Sequence, residues 1–218
     1  MKTVVVIHTG PATVQPLKQQ FQAILPDVRV VNIMDDSLLN DVMAAGHLTE
    51  AVSGRILTYM QQGEKMGAVA LLNACSSVGE AVSAARLLIG VPIIKIDDTM
   101  TENAVALGRN IGVVATVKTT LEPTVRLIRT KAGAVGKDIE ITEALAEGAF
   151  QSLLDGKPEL HDEIVKRTIE SLAEKVDVIV LAQVSMARLV PHLAAMKVPV
   201  LSSPQSGVQA VCDALASL

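Results

Sequence analysis

Eight short runs rich in β-branched residues punctuate this chain, and their spacing restricts its fold more than any other feature. They are Val4–Ile7, Val28–Ile33, Ala68–Leu72, Pro92–Ile96, Ile111–Ala115, Asp138–Thr142, Asp177–Ala182 and Val198–Ser202. Each is nearly continuous in apolar character rather than alternating, which is the pattern of a parallel strand buried on both faces. Amphipathic helical segments lie between them, such as Thr49–Gln62 and Ile164–Lys175. Strand–helix alternation along the whole chain predicts an α/β layer architecture.

The rhythm occurs twice, at an offset of about 107 residues. After the first strand of each half comes Thr-x-x-x-Thr, an apolar residue, then x-Pro. The first copy is Thr9, Thr13, Val14, Gln15, Pro16, and the second is Thr116, Thr120, Leu121, Glu122, Pro123. After the third strand, the segment Asn73-Ala-Cys-Ser-Ser-Val78 lies over Leu181-Ala-Gln-Val-Ser-Met186, which sets Cys75 on Gln183 and Ser77 on Ser185. Both matches fall just past the carboxyl end of a strand, the edge at which open parallel sheets bind ligands. The expectation is two pseudo-symmetric α/β subdomains, each a parallel four-stranded sheet flanked by helices, with an active site in the cleft between them. The first subdomain is expected to cover residues 1–97 plus 207–218, the last helix crossing back, and the second residues 98–206.

Composition narrows the function. The 218 residues are 50% hydrophobic and carry a net charge of −4, enough apolar material for a core and no basic surplus for nucleic acid. Aromatic residues are 1%, so stacking platforms for bases are not expected either. No run approaches the roughly 18 to 20 apolar residues of a membrane span, and the amino terminus lacks a signal-peptide pattern, so a cytoplasmic protein is expected. Cys75 and Cys212 stand in no zinc-type spacing, and the aspartates Asp35, Asp36, Asp97 and Asp98 come with no ligand set, so no metal site is expected.

Cys75 precedes Ser77 and Glu80, which read as an S-x-x-E capping box for the helix that follows. A cysteine just ahead of a helix start is placed where thiolate is favoured, or it is a small residue packed beside a cap. Cys212 falls with Val208, Val211 and Leu215 on one helical face and reads as a core residue. His8, at a strand end before Thr9-Gly-Pro11, is either a group facing the site that titrates near neutral pH or a hydrogen-bonded structural histidine. The threonine groups Thr9/Thr13 and Thr116/Thr119/Thr120 fit carboxylate binding at helix starts, and capping as well. Lys95 and Lys118 read as surface lysines with charge to offer an anionic substrate, and His47, His161 and His192 as residues with nothing to pair them.

The segments VIHTGPATV, NACSSVGEA, IGVVATVKTT and VIVLAQVSMARL, in this order and spacing, resemble the cofactor-independent aspartate/glutamate racemase superfamily, which includes hydantoin racemases, maleate isomerases and arylmalonate decarboxylases. The resemblance runs over nearly the whole chain. It implies an α-carbon reaction on a small carboxylate through an enolate-like intermediate, with no cofactor and a dimer or higher homo-oligomer. Cys75 matches the first of the family's two catalytic cysteines. Ser76 and Ser77 match its carboxylate-binding Asn and Thr. Thr116 and Thr119 match a substrate-binding threonine pair, His8 and Thr9 the polar pair after the first strand, and Ser185 a position beside the second cysteine. That second cysteine is Gln183 here. An amide forms hydrogen bonds but does not exchange protons near neutral pH, so two-thiol racemisation is not implied. Three readings remain open: a racemase or isomerase with another second base such as His8, a one-cysteine decarboxylase or lyase, and a carboxylate-binding protein without catalysis.

Overall fold

The structure, a computed structural model, describes residues 1–218. It divides into two compact units, Met1–Asp98 with Pro204–Leu218, and Thr99–Ser203.

The first unit is built on four parallel strands: β1 (Thr3–His8), β2 (Arg29–Met34), β3 (Ala70–Asn73) and β4 (Ile93–Lys95), in the order β2-β1-β3-β4. Val4, Val5, Val6 and Ile7 have no exposed surface, as expected of a central strand covered on both faces. One layer of the core joins Val5, Ile7 and Leu71 to helices α2 (Ser37–Ala45), α3 (Glu50–Lys65) and α4 (Gly79–Ala85). Helix α3 shows why its sequence is helical. Thr49 caps it, its hydroxyl accepting the Val52 N–H at 3.3 Å, and Glu50 and Lys65 complement the dipole at the two ends. Val52, Ile56 and Met60 recur every four residues and are fully buried. Burial of each stabilises by about 1.5–3 kcal/mol. Helix α1 (Val14–Ile24) sends Leu17 and Phe21 inward.

The last helix, α9 (Ser203–Ala216), buries Val208, Val211 and Leu215, with Cys212 half-buried beside them. It lies directly on the residue after β4. A Cβ at Gly207 would meet the Ile96 Cδ1 at 2.5 Å and the Ile96 carbonyl oxygen at 2.9 Å.

The second unit repeats the plan. Strands β5 (Asn110–Ala115), β6 (Glu140–Leu145), β7 (Val178–Leu181) and β8 (Val200–Ser202) are parallel, in the order β6-β5-β7-β8. Helix α5 (Asp98–Leu107) precedes them. Helices α6 (Lys118–Ala134), α7 (Ala149–Leu154) and α8 (Pro158–Leu172) and a long 3-10 segment at Val184–Leu193 complete the unit. Its two core layers centre on Val113 with Ile128, and on Val114 with Ile169.

All eight predicted strands and the two-fold strand–helix plan are present. The expectation of burial on both faces holds for the inner strands and for β4. Three of the four outer strands, β2, β6 and β8, are partly exposed, because an edge strand lacks a neighbour and is flanked by fewer side chains. Helix α8 begins at Pro158 rather than Ile164, since proline suits the first helical turn. No helix is long and apolar enough to cross a membrane.

Candidate active site

Strand β3 ends at Asn73, and Ala74 is still held to β1 through its N–H on the Ile7 carbonyl at 3.0 Å. Cys75 then turns the chain. Its backbone is extended (φ −140°, ψ 120°), and it is the cap of a 3-10 turn over Ser76–Val78 that runs into α4. The predicted capping box at Ser77 and Glu80 is therefore corrected: the helical path starts at Cys75, two residues earlier. The following helix has only seven residues, so its dipole is short.

What surrounds the sulfur is more specific than a dipole. Burial pushes the thiol pKa up, against the expectation of a favoured thiolate. Opposing it, the Thr9 hydroxyl, the Ser77 N–H and hydroxyl and the Val78 N–H all donate towards the sulfur. Half-buried Cys75 thus sits in a cradle of donors from the residue after β1 and from its own turn. Thr9→Val removes one charge-assisted hydrogen bond, worth about 1.5–3 kcal/mol to the thiolate. Alkylation of Cys75 by iodoacetamide at neutral pH is expected to slow about tenfold or more. An unchanged rate would take Thr9 out of the cradle.

His8 is fully buried, and both ring nitrogens are engaged inside the unit. Nδ1 lies 2.6 Å from the Thr13 hydroxyl and Nε2 lies 2.9 Å from the Asn32 Oδ1. The Thr13 hydroxyl also lies 3.1 Å from the Gly10 carbonyl. With the Asn32 oxygen accepting from Nε2–H, a neutral ring accepts at Nδ1 from Thr13. Burial lowers the His8 pKa, partly offset by the Asn32 bond. To act as a second base, His8 would have to give up one of these bonds. The geometry matches the hydrogen-bonded histidine left open above.

In the second unit, Gln183 follows β7 and caps the 3-10 segment. Its Oε1 accepts from the Thr116 backbone N–H at 2.6 Å and from the Thr116 hydroxyl at 3.0 Å. A backbone N–H only donates, so it fixes which end of the amide faces Thr116. The Gln183 amide N–H₂ is the end turned away, a pure donor where the repeat has a thiol. Thr116 holds Gln183, a role not read from the sequence. The Thr119 hydroxyl, at the start of α6, is buried with no partner. Ser185 is half-buried in the 3-10 segment.

Three clusters escaped the sequence reading. Lys95 is not a surface lysine but 6% exposed, with Asp97 at 2% and the Asp98 carboxylate 3.8 Å from the ammonium. Its side chain crosses under Gly79, where a Cβ would lie 3.0 Å from the Lys95 Cε. A lysine inside an apolar strand was the available signal. His161 is likewise corrected: it is fully buried, its Nδ1 lying 2.8 Å from the Asp162 carboxylate and 3.2 Å from the Arg188 guanidinium, which itself donates to Asp162. At the end of β2, Asp35 accepts from the Ser37 N–H and hydroxyl, Arg55 and Tyr59. No set of three His, Cys, Asp or Glu side chains is arranged to hold a metal. A cavity of about 510 Å³ lies elsewhere, between α1 and β1/β2, and of the groups above only Asn32 lines it.

Two buried histidines give the stability a defined pH dependence. Burial lowers the pKa of both His8 and His161 from the ordinary 6.5. The folded state therefore binds fewer protons than the unfolded state below 6.5, and stability is lost as pH falls towards the folded values. Asp35 and Asp162, held below the ordinary 3.8 by hydrogen bonds and arginines in spite of burial, add a second loss below that value. Asp97, whose pKa burial raises, acts in the opposite sense, so the histidine loss is read in Asp97→Asn, whose urea midpoint is expected to fall between about pH 7 and 5; a flat midpoint in that variant would contradict the burial of both rings.

The Asp/Glu/Hydantoin racemase family model matches residues 4–211. Aspartate racemase of Picrophilus torridus is similar in structure with a TM-score of 0.77 at 14% identity, covering 99% of this chain and 95% of that one. Allantoin racemase from Klebsiella pneumoniae gives 0.74 at 18% identity, over 100% of this chain and 89% of that one. A glycine-to-cysteine mutant of arylmalonate decarboxylase, in its sulfate-associated form, gives 0.65 at 16% identity, over 98% and 93%. No curated protein matches the chain in sequence.

Proposed function

The chain belongs to the Asp/Glu/Hydantoin racemase family, and we propose that it is a racemase- or isomerase-type enzyme acting at the α-carbon of a small carboxylate, with Cys75 as the acid/base. The observation that carries this reading is the set of donors converging on the Cys75 sulfur. A thiol meant only to fill space has no need of a hydroxyl from the residue after β1 and two backbone N–H groups. An α-proton beside a carboxylate is very weakly acidic. Its removal requires a poised base and donors already aimed at the charge that develops. The cradle partly offsets the burial that raises the thiol pKa, and it gives the thiolate donors already in place once a proton leaves the sulfur. The Gln183 amide supplies donors, held in orientation by Thr116. With the Thr119 hydroxyl, these groups hold the carboxylate and the enolate oxygen. No cofactor takes part in this proposal.

A second reading is favoured by the same amide. Gln183 neither takes nor gives a proton, so a reaction with one protonation step suits the residue set. Loss of CO₂ from a malonate-type acid, followed by protonation from the Cys75 thiol, is such a reaction. Incubation in D₂O with both enantiomers of aspartate and glutamate, and with phenylmalonate, separates the readings. Deuterium entering the α-position of the amino acids supports the first, and CO₂ release from phenylmalonate the second. Neither event, together with Cys75 alkylation no faster than that of a free thiol, would leave a binding protein.

A further inference from the structure

The proposed base leaves open what carries the second proton, and a group beside it has the means. Ser76, the residue after Cys75, is 6% exposed and its side chain is hydrogen-bonded to Asp97. Asp97 follows β4 at the same carboxyl edge of the first sheet and is 2% exposed. Lys95 lies two residues before it, buried and threaded beneath Gly79 in the turn that Cys75 opens. Asn73, the register neighbour of Lys95, donates to the Cys75 carbonyl at 2.8 Å, while its own buried Oδ1 has no partner. The polar interior under this turn is thus short of a donor at one point and built around a carboxyl group at another. None of this is needed to hold an apolar core, and burying charged groups is expensive unless they are used or well paired.

We propose that Asp97 is the second proton-carrying group of the Cys75 site, acting through the Ser76 hydroxyl. This rests on the reading of Cys75 as the base. The Cys75 thiolate takes the α-proton, breaking the C–H bond, forming the S–H bond and leaving an enolate. The Ser76 hydroxyl gives its proton to a carbon of the enolate while the Asp97 carboxyl refills Ser76. The thiol proton then returns to the Asp97 carboxylate through solvent, which restores the starting state with no net gain or loss of protons. Burial holds the Asp97 carboxyl above the ordinary carboxylate range, against the pull of Lys95 and Ser76, which suits a group that keeps its proton. Return of the proton to the same carbon exchanges it, and return to a conjugated carbon moves a double bond.

The test needs no substrate. In D₂O at neutral pH, the wild-type infrared spectrum is expected to contain a protonated-carboxyl C=O band that Asp97→Asn removes. Ser76→Ala is expected to move this band to higher frequency, as the hydrogen bond is lost, and alkylation of Cys75 to displace it as well. Asp97→Glu, which retains a carboxyl, should keep a band and covers the case in which the Asn variant folds poorly. Wild-type and Asp97→Asn spectra that coincide in this region would overturn the proposal, and so would a band indifferent to both Ser76 and Cys75. Cys75 that alkylates only as fast as a free thiol, with the Asp97 band present, would instead sink the assignment of Cys75 as the base.

Discussion

Cys75→Ala is expected to abolish α-proton exchange, with a loss of at least about 10²- to 10⁴-fold, the contribution typical of a positioned acid/base. The physical reason is that no neighbour can stand in. The Thr9 and Ser77 hydroxyls that surround the sulfur have ordinary alcohol acidity and accept protons poorly. His8 is tied at both ring nitrogens. Stability should change little, because Cys75 is half-buried and alanine keeps the extended backbone of the turn. The measurement is deuterium incorporation by proton NMR for whichever acid the wild type exchanges, with circular dichroism as the check on folding. Exchange at the wild-type rate in a folded Cys75→Ala protein would remove the thiol from the chemistry. Cys75→Ser tests the same point more finely, since it keeps the hydrogen bonds of the cradle and removes only the acidity of sulfur.

Gly207→Ala is expected to destabilise the first unit by about 1–3 kcal/mol, the range for overpacking a filled core. Alanine would normally be favoured over glycine within a helix such as α9, by about 1 kcal/mol. Here the sign reverses, because the added methyl meets the backbone of Ile96: its carbonyl oxygen at 2.9 Å and its Cα at 3.2 Å. A side chain can swing away, but a backbone anchored next to β4 cannot without moving the strand end. At roughly 2–4 °C per kcal/mol for a chain of this size, the melting temperature should drop by several degrees. Gly54→Ala is the control. It lies inside α3, where an added Cβ has nothing within 4 Å, so it should be neutral or stabilising. Equal effects from the two substitutions would mean that α9 does not seat on Ile96 as described.

Much of the architecture was legible because it depends on local pattern. The eight strands, the helices between them and the repeated order of elements all follow from apolar runs and 3.6-residue periodicity, which report burial averaged over a face. The misreadings have the same origin. Lys95 reads as a surface lysine because a lysine in a run of apolar residues gives no sign of what lies across from it. In the structure it runs beneath Gly79, towards Asp97 and Asp98. His161 looked isolated, since Arg188, which faces it, is distant in sequence. Edge strands looked like central ones because apolar content does not state how many neighbours a strand has.

The sequence by itself determined that this chain forms two copies of one strand–helix plan, and that a cysteine stands at a strand end where the second copy has a glutamine. Only the tertiary structure decided what each can do chemically. It placed the Thr9 hydroxyl against the Cys75 sulfur, tied both nitrogens of His8, and turned the Gln183 carbonyl onto the Thr116 N–H so that only its donors remain available. The physical reason is that periodicity encodes which side of an element is buried. Proton affinity and hydrogen-bond direction are set by individual atoms, and those come from residues far apart in the chain.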